Sequence, residues 1–470
     1  MKRVRLFFIV LFISTLLVVS GCSLQKVKSQ TPEPTSTPHP PVATITPTMV
    51  PTANGPEFGV HPADLNELQI QFLHPWTGDV LDELIVMVDE FNQTNEWGIH
   101  VIMLAPGSAA LVTDKTREGI ANRQPSNVLA APLGFLLAVD EKDGLVVDLE
   151  PYLDSQTYGL PEQEISDFTP EFWDTLKSDG ERIGVPAQES ALLLAYNTTW
   201  AKELGLNSLP VTPEEFKTQM CAANKSFLKD ADLTNDGLGG WLINTDPVAM
   251  YSWLTAFGVD LTPGEGYVFS GEAGKAAFNY LLDLKNDSCA WVGRPAQDLV
   301  YFSNRQALAI AVWLQDMPTL ARALEQAGSQ DEWTVIPFPG SAGQVVATGG
   351  TAYAVLHNDP AQDLAAWLFI RWLSQPAQQV RLLEYFGTLP MTISGEESIV
   401  KTGSIPQLIT AIKYKEFWLQ QPTDADWVAI TPVLEDAGWQ LLKTVISPEM
   451  VPGLLQEMDA VAQDLAERYP

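Results

Sequence analysis

Apolar and polar positions alternate through Leu68-Gln69-Ile70-Gln71-Phe72-Leu73, the period of a strand with one covered face. Over residues 79–95 the period lengthens, and Val80, Leu84, Val88 and Phe91 fall on one face of a predicted helix. Residues 98–104 predict a second strand, and Ser108 is placed to cap a helix running to about 122. Asn127-Val128-Leu129-Ala130-Ala131 predicts a third, buried strand. The same style continues with strands at 183–187 and 191–196. A helix opens at Thr212, with Pro213 in its first position and Glu215 completing a capping box. Helices at 271–287, 317–326 and 361–373, a strand at 308–313 and another after Gly349-Gly350-Thr351 follow, and from about 405 the pattern is mostly helical. Strands alternating with helices imply an α/β fold, a parallel sheet with helices on both faces. Ligands in such sheets bind at the carboxyl ends of strands. That rule points to His74-Pro75-Trp76 after the first strand and Ala131-Pro132 after the third.

The start of the chain is patterned differently. Lys2, Arg3 and Arg5 precede an apolar run over 6–19, too short for a comfortable membrane span of roughly 20 residues. It fits the central region of a secretory signal. Val19-Ser20-Gly21-Cys22 then resembles a bacterial lipobox, with a signal peptide over 1–21 and Cys22 as the lipidated first residue of the mature chain. Residues 31–54 hold seven Pro and seven Thr and no aromatic residue. Such a stretch buries too little apolar surface to offset its ordering entropy. It predicts an extended spacer of at most about 75 Å within a tether over 22–64. The expected location is therefore outside the cytoplasmic membrane, held there by lipid.

Composition narrows the partners. The 470 residues carry 27 Lys plus Arg against 58 Asp plus Glu, a net charge of −31. Nucleic-acid binding needs a basic face to neutralise phosphates, so no nucleic-acid partner is expected. Five His are scattered and no His-Glu-x-x-His, Walker A, Gly-x-Ser-x-Gly or Gly-x-Gly-x-x-Gly pattern occurs, so neither a metal site nor a cofactor is expected. The run from Asp232 to Gly237 mimics the start of a calcium loop, but its twelfth position is Ile243 rather than Glu. In an exported chain, Cys221 and Cys289 predict a disulfide worth roughly 4 kcal/mol by loop entropy.

Several segments, taken in order, resemble family 1 extracellular solute-binding proteins, the group that includes the maltose-binding protein. They are Val185-Pro186-Ala187-Gln188 through Tyr196-Asn197, Trp200 through Gly205, and Leu209-Pro210 through Phe216. Asn235-Asp236-Gly237 through Trp241, Phe302 through Ile310, Gly349 through Val355, and Gly387-Thr388-Leu389-Pro390 complete the set. The resemblance spans roughly 65–450. Two positions depart from it: Ser126-Asn127-Val128 stands where Pro-Asp-Val is usual, and Arg305 where a small residue is usual. The resemblance implies a periplasmic-binding-protein-like fold of two interleaved α/β lobes joined by hinge strands, with a mainly helical C-terminal part. The expected first lobe is 65–186 plus 350–395, and the second is 187–349 plus 396–470. The crossings are expected near 186–190, 347–351 and 390–397. Hinge closure on a small ligand, most simply a saccharide, and delivery to the permease of an ABC transporter follow from the family, with the chain acting as a monomer.

Candidate ligand residues come from chemistry that suits a sugar, whose C–H faces stack on indole rings and whose hydroxyls need fixed polar groups. The chain holds 14 Trp. Trp76, Trp241 and Trp313 sit where clefts of this family usually carry aromatic residues, and Gln315 and Asp316 follow Trp313 in a helix-start context that adds hydrogen-bonding groups. Gln188, Glu189 and Ser190 lie at the first crossing, Gly349, Gly350 and Thr351 at the second, and His74 could donate to a ligand oxygen. Trp367 and Trp372 lie on a predicted helix and belong with the core. Two other readings remain open from sequence: an extracellular glycoside-acting enzyme, which needs facing carboxylates, and a ligand-sensing surface receptor without a transporter. Glycerol phosphates, amino sugars and polyamines are ligands of other members.

Overall fold

A computed structural model describes residues 56–262, 266–403 and 405–468. The signal, the lipobox at Cys22 and most of the tether lie outside the described residues. Residues 57–65 form two 3-10 turns, with Val60 and Leu65 buried in the body and Phe58 stacked on Tyr152 at 4.3 Å. Folded chain therefore begins before the expected tether boundary at 64. Among the described residues, no helix is long and apolar enough to cross a membrane.

Among the described residues, thirteen strands form: β1 (Gln69–Leu73), β2 (His100–Leu104), β3 (Val128–Ala131), β4 (Lys177–Ser178), β5 (Glu181–Arg182), β6 (Val185–Asn197), β7 (Trp241–Leu242), β8 (Ala290–Trp291), β9 (Ala309–Trp313), β10 (Trp333–Ile336), β11 (Phe338–Pro339), β12 (Gln344–Val355) and β13 (Trp418–Gln420). The main sheet has 11 strands, with the path β2-β1-β3-β12-β6-β9-β7-β8. The predicted helices form close to their expected bounds. Ser108 accepts from Leu111 N at 3.2 Å, and Thr212 and Glu215 complete the capping box.

The sheet is mixed rather than parallel, and the reason is two long strands. β6 and β12 run antiparallel to each other from Val185↔Tyr353 to Leu192↔Ala347. The amino end of β6 and the carboxyl end of β12 contribute to one half of the sheet, where Ala352–Val355 pair with β3. The other ends contribute to the second half, where Leu192–Tyr196 pair with β9 and Val346–Thr348 with β13. Sequence pattern splits β6 in two because Gln188-Glu189-Ser190 interrupts its apolar run, yet the backbone is continuous through them. It also starts β12 late, because Gly349-Gly350 reads as a turn. Both glycines instead sit in extended chain, and at Gly350 a Cβ would overlap the Gln188 carbonyl and the Glu189 carboxylate.

Each half of the sheet is covered on both faces. In the first half, Val185, Ala187, Tyr353 and Val355 face one core and Ala352, Ala354 and Leu356 the other. In the second, Leu192, Leu194 and Tyr196 face a core shared with the C-terminal helices Ala425–Lys443 and Val451–Arg468. Ala191, Leu193 and Ala195 face a core that includes Leu389, Met391 and Leu408. Leu382 and Phe386 belong to a first-half core and Leu383, Leu389 and Met391 to a second-half core, so the stretch 382–391 spans the two halves. The fold is thus two interleaved α/β lobes.

Two sequence oddities acquire causes. Arg305 has φ 55°, a left-handed conformation that explains why a small residue is usual at that position. Its guanidinium is anchored by Glu203 at 2.8 Å and by Asp331. Cys221 and Cys289 are disulfide-bonded with Cα atoms 4.2 Å apart, linking the helix Pro213–Phe227 to the strand end at β8.

Candidate functional site

A cleft of about 860 Å³ opens over the crossing strands. Its floor is Gln188–Ser190 of β6 and Gly349–Ala352 of β12. The first-lobe wall comes from Pro75-Trp76 after β1, Pro132 after β3, and Tyr385-Phe386 before the third crossing. The second-lobe wall comes from Trp313 at the end of β9, with Gln315 and Arg322 beyond it, and from Gln420, Gln421 and Trp427. Both carboxyl-end positions singled out in the sequence, Trp76 and Pro132, therefore reach the cleft.

The aromatic rings are held in place by specific partners. Trp76 donates its indole N–H to Gln188 Oε1 at 2.6 Å and packs against Phe386 at 5.0 Å. Trp313 hydrogen-bonds the carboxylate of Asp246, the residue that caps the helix Pro247–Ala256. Burial holds the Asp246 carboxyl above the usual range. Trp427 meets Tyr251 edge-on at 5.3 Å. Gln421 donates backbone and side-chain N–H to the Thr348 carbonyl at 3.0 and 3.2 Å, which fixes the segment after β13 over the floor. Ser190 donates to Gln315 across the first crossing.

Charged side chains are scarce here. Asp79, Glu189 and Arg322 are the only formal charges among the described lining residues. Glu189 is buried, with its Oε1 unpartnered, and burial pushes its carboxyl up to about 8 despite hydrogen bonds with Gln420 and Thr348.

Of the residues singled out from sequence, Trp76, Gln188, Glu189, Trp313, Gly349, Gly350 and Thr351 line the cleft. Three do not. His74 is fully buried one residue too early, its ring tilted against Phe72 and stacked on Trp76 at 5.3 Å. Desolvation lowers its pKa to about 4, and neither ring nitrogen has a partner. Trp241 is fully buried on β7, edge-on to Trp253 at 5.4 Å, because the glycine turn before it feeds directly into the sheet. Asp316 ends a 3-10 turn with its side chain outside the lining, while its neighbour Gln315 turns inward. Gln315, read from sequence beside Asp316 as a hydrogen-bonding group, does line the cleft, whereas Trp427, Tyr385, Phe386, Arg322 and Gln420 escaped sequence reasoning. Tyr385-Phe386 had a signal, lying just before the Gly387-Thr388-Leu389-Pro390 motif. Trp427 had none, since only docking of the C-terminal helix brings it over the floor.

The family of bacterial extracellular solute-binding proteins matches over residues 86–402, and the chain belongs to it. No curated protein sequence matches. Among solved structures, the chain is similar to the cyclic alpha-maltosyl-1,6-maltose binding protein from Arthrobacter globiformis. That match has 18% identity and TM-score 0.69, and covers 86% of this chain and 100% of that one. It is also similar to maltose-bound MalE3 of T. maritima, at 17% identity and TM-score 0.67, covering 85% and 99%. UgpB from Mycobacterium tuberculosis in complex with glycerophosphocholine is similar at 15% identity and TM-score 0.68, covering 85% and 98%. At these identities the likeness establishes the fold: two lobes of the solute-binding type.

Proposed function

We propose that the chain captures a saccharide by closure of its two lobes and passes it to the permease of an ABC importer, held at the outer membrane face by lipid on Cys22. The observation that carries this reading is the lining of the cleft. Trp76, Trp313 and Trp427 supply apolar faces from both lobes and from the C-terminal helix, while Gln188, Gln315, Gln420 and Gln421 supply neutral donors and acceptors. That combination suits C–H faces ringed by hydroxyls. A phosphate ester needs more cationic groups than the single Arg322, although a structural neighbour binds glycerophosphocholine. The saccharides named for the Arthrobacter and T. maritima neighbours support the sugar reading. Binding without turnover is part of the proposal. Among the described lining residues the carboxyls are Asp79 and Glu189, and Glu189 is buried among the crossing strands.

Thermal-shift screening of the mature protein against oligosaccharides, polyols, glycerophosphodiesters and polyamines tests this. A specific saccharide should raise Tm by mass action. Stabilisation by cationic amines alone would defeat the sugar assignment, and release of shortened sugars would defeat binding without turnover.

A further inference from the structure

All three segments that pass between the lobes meet at one residue. Glu189 lies on β6, pairs with Gly350 of β12, and its carbonyl accepts from Leu389 N at 2.8 Å in the third crossing. Its side chain is buried with Oε1 lacking any partner. The carboxyl is hydrogen-bonded to Thr348 of β12 and Gln420 of β13, and Thr348 donates to Gln420 Oε1 at 2.9 Å. Gly350 is tied to the same arrangement, because a Cβ there would overlap Glu189 Oε2. A carboxyl group thus sits at the pivot of the fold, where chain from every crossing meets under the cleft floor.

We propose that Glu189 is a proton-sensitive latch on the hinge: protonated, it holds the crossing strands in the packed arrangement seen here, and loss of its proton to water favours a conformer in which the carboxylate is hydrated. This rests on the hinged-cleft reading of function and adds its regulation by pH. The groups facing Glu189 are uncharged on each packed element: Thr348 and Gly350 from β12, Gln420 from β13, Leu389 from the third crossing, and Gln188 and Ser190 beside it on β6. Burying an unpaired carboxylate is costly, and the group responds by staying neutral.

The sign follows from linkage. The buried carboxyl titrates near 8 and a hydrated one at the ordinary 4.5. The packed arrangement therefore binds more protons, is most favoured below about pH 4.5, and loses ground through the window up to about 8. The ratio of packed to hydrated conformers falls by up to about tenfold per pH unit across that window.

The test uses the mature full-length chain without ligand, so a failure to find any ligand leaves it intact, and a pH-blind hinge leaves the binding reading intact. Small-angle scattering is recorded from pH 5 to 9, with amide exchange over 185–190 and 347–351 compared with Glu189→Gln at each pH. The expected result is a change in scattering profile and at least a tenfold loss of protection in the wild type as pH rises, with both absent in Glu189→Gln. A wild-type hinge unchanged over this range, or a parallel change in Glu189→Gln, overturns the proposal. If Glu189→Gln does not fold, infrared titration of the wild-type carboxyl decides: ionisation completed below pH 6 overturns the latch, and a proton retained past pH 7 supports it.

Discussion

The indole N–H of Trp76 is hydrogen-bonded to Gln188 Oε1 at 2.6 Å, joining the loop after β1 to the first crossing strand. One bond therefore orients an aromatic wall of the cleft against its floor. Trp76→Phe keeps a ring and removes the donor. Net loss of such a bond should lower stability by about 1 kcal/mol. Its larger expected effect is on ligand affinity, because the ring loses its fixed orientation. Calorimetric titration with the ligand found by screening, alongside urea unfolding, separates the two.

Trp313 and Trp241 lie on neighbouring strands but have different expected phenotypes. Trp313 reaches the cleft, so Trp313→Ala should weaken saccharide binding by roughly 1–2 kcal/mol, about tenfold. Trp241 is fully buried. Trp241→Ala should cost about 3–5 kcal/mol of stability through transfer and cavity terms. Equal loss of affinity at equal stability in both variants would contradict this assignment.

Gly350→Ala should destabilise by about 1–3 kcal/mol, since the added methyl meets the Gln188 carbonyl and the Glu189 carboxylate rather than space. Gly144→Ala supplies a contrast: it meets nothing within 4 Å but has φ 60°, so its penalty is conformational. Urea midpoints of the two variants report the difference, and scattering shows whether only the first disturbs the hinge.

Removing the Cys221–Cys289 bond as a double Ser variant lifts the constraint on a 68-residue separation. The expected loss is about 4 kcal/mol by loop entropy. A reducing agent should lower the wild-type Tm and leave that of the double variant unchanged.

His74 gives the stability curve an acid-side slope. Its buried ring titrates near 4 against an ordinary 6.5, so the unfolded chain binds more protons between those values. Its contribution to stability is intact above pH 6.5 and falls by about 3 kcal/mol on going down to pH 4. Glu189 acts with the opposite sign between 4.5 and 8, so the comparison is with His74→Phe rather than with absolute stability. The variant should lose less stability than wild type between pH 7 and pH 4.5 in urea titrations.

The layered α/β plan and most helix starts were legible because periodicity and capping act locally, as at Ser108 and Thr212. The crossings were harder. Gln188-Glu189-Ser190 reads as the gap between two strands, and Gly349-Gly350 as a turn, because local pattern assigns polar residues and glycines to the surface. Their burial comes from pairing between distant parts of the chain. In the site, Trp76 and Trp313 were legible from their place at strand ends. His74 and Trp241 were not, since a one-residue step along a strand end decides between cleft and core. Trp427 depends on where a helix docks, which its own sequence does not encode.

The partnership of β6 with β12 also bears on how the polypeptide is completed. Val185 finds Tyr353 only after the whole of the second lobe's first segment has been made. Pairing at such separation makes closure of the sheet a late event. A chain ending at Pro339 would leave β6 with an open flank along Val185–Ala191, a template for pairing with other chains. Neither lobe is therefore an independent building block: fragments cut between them should aggregate, and the nascent protein needs protection until its last crossing is in place.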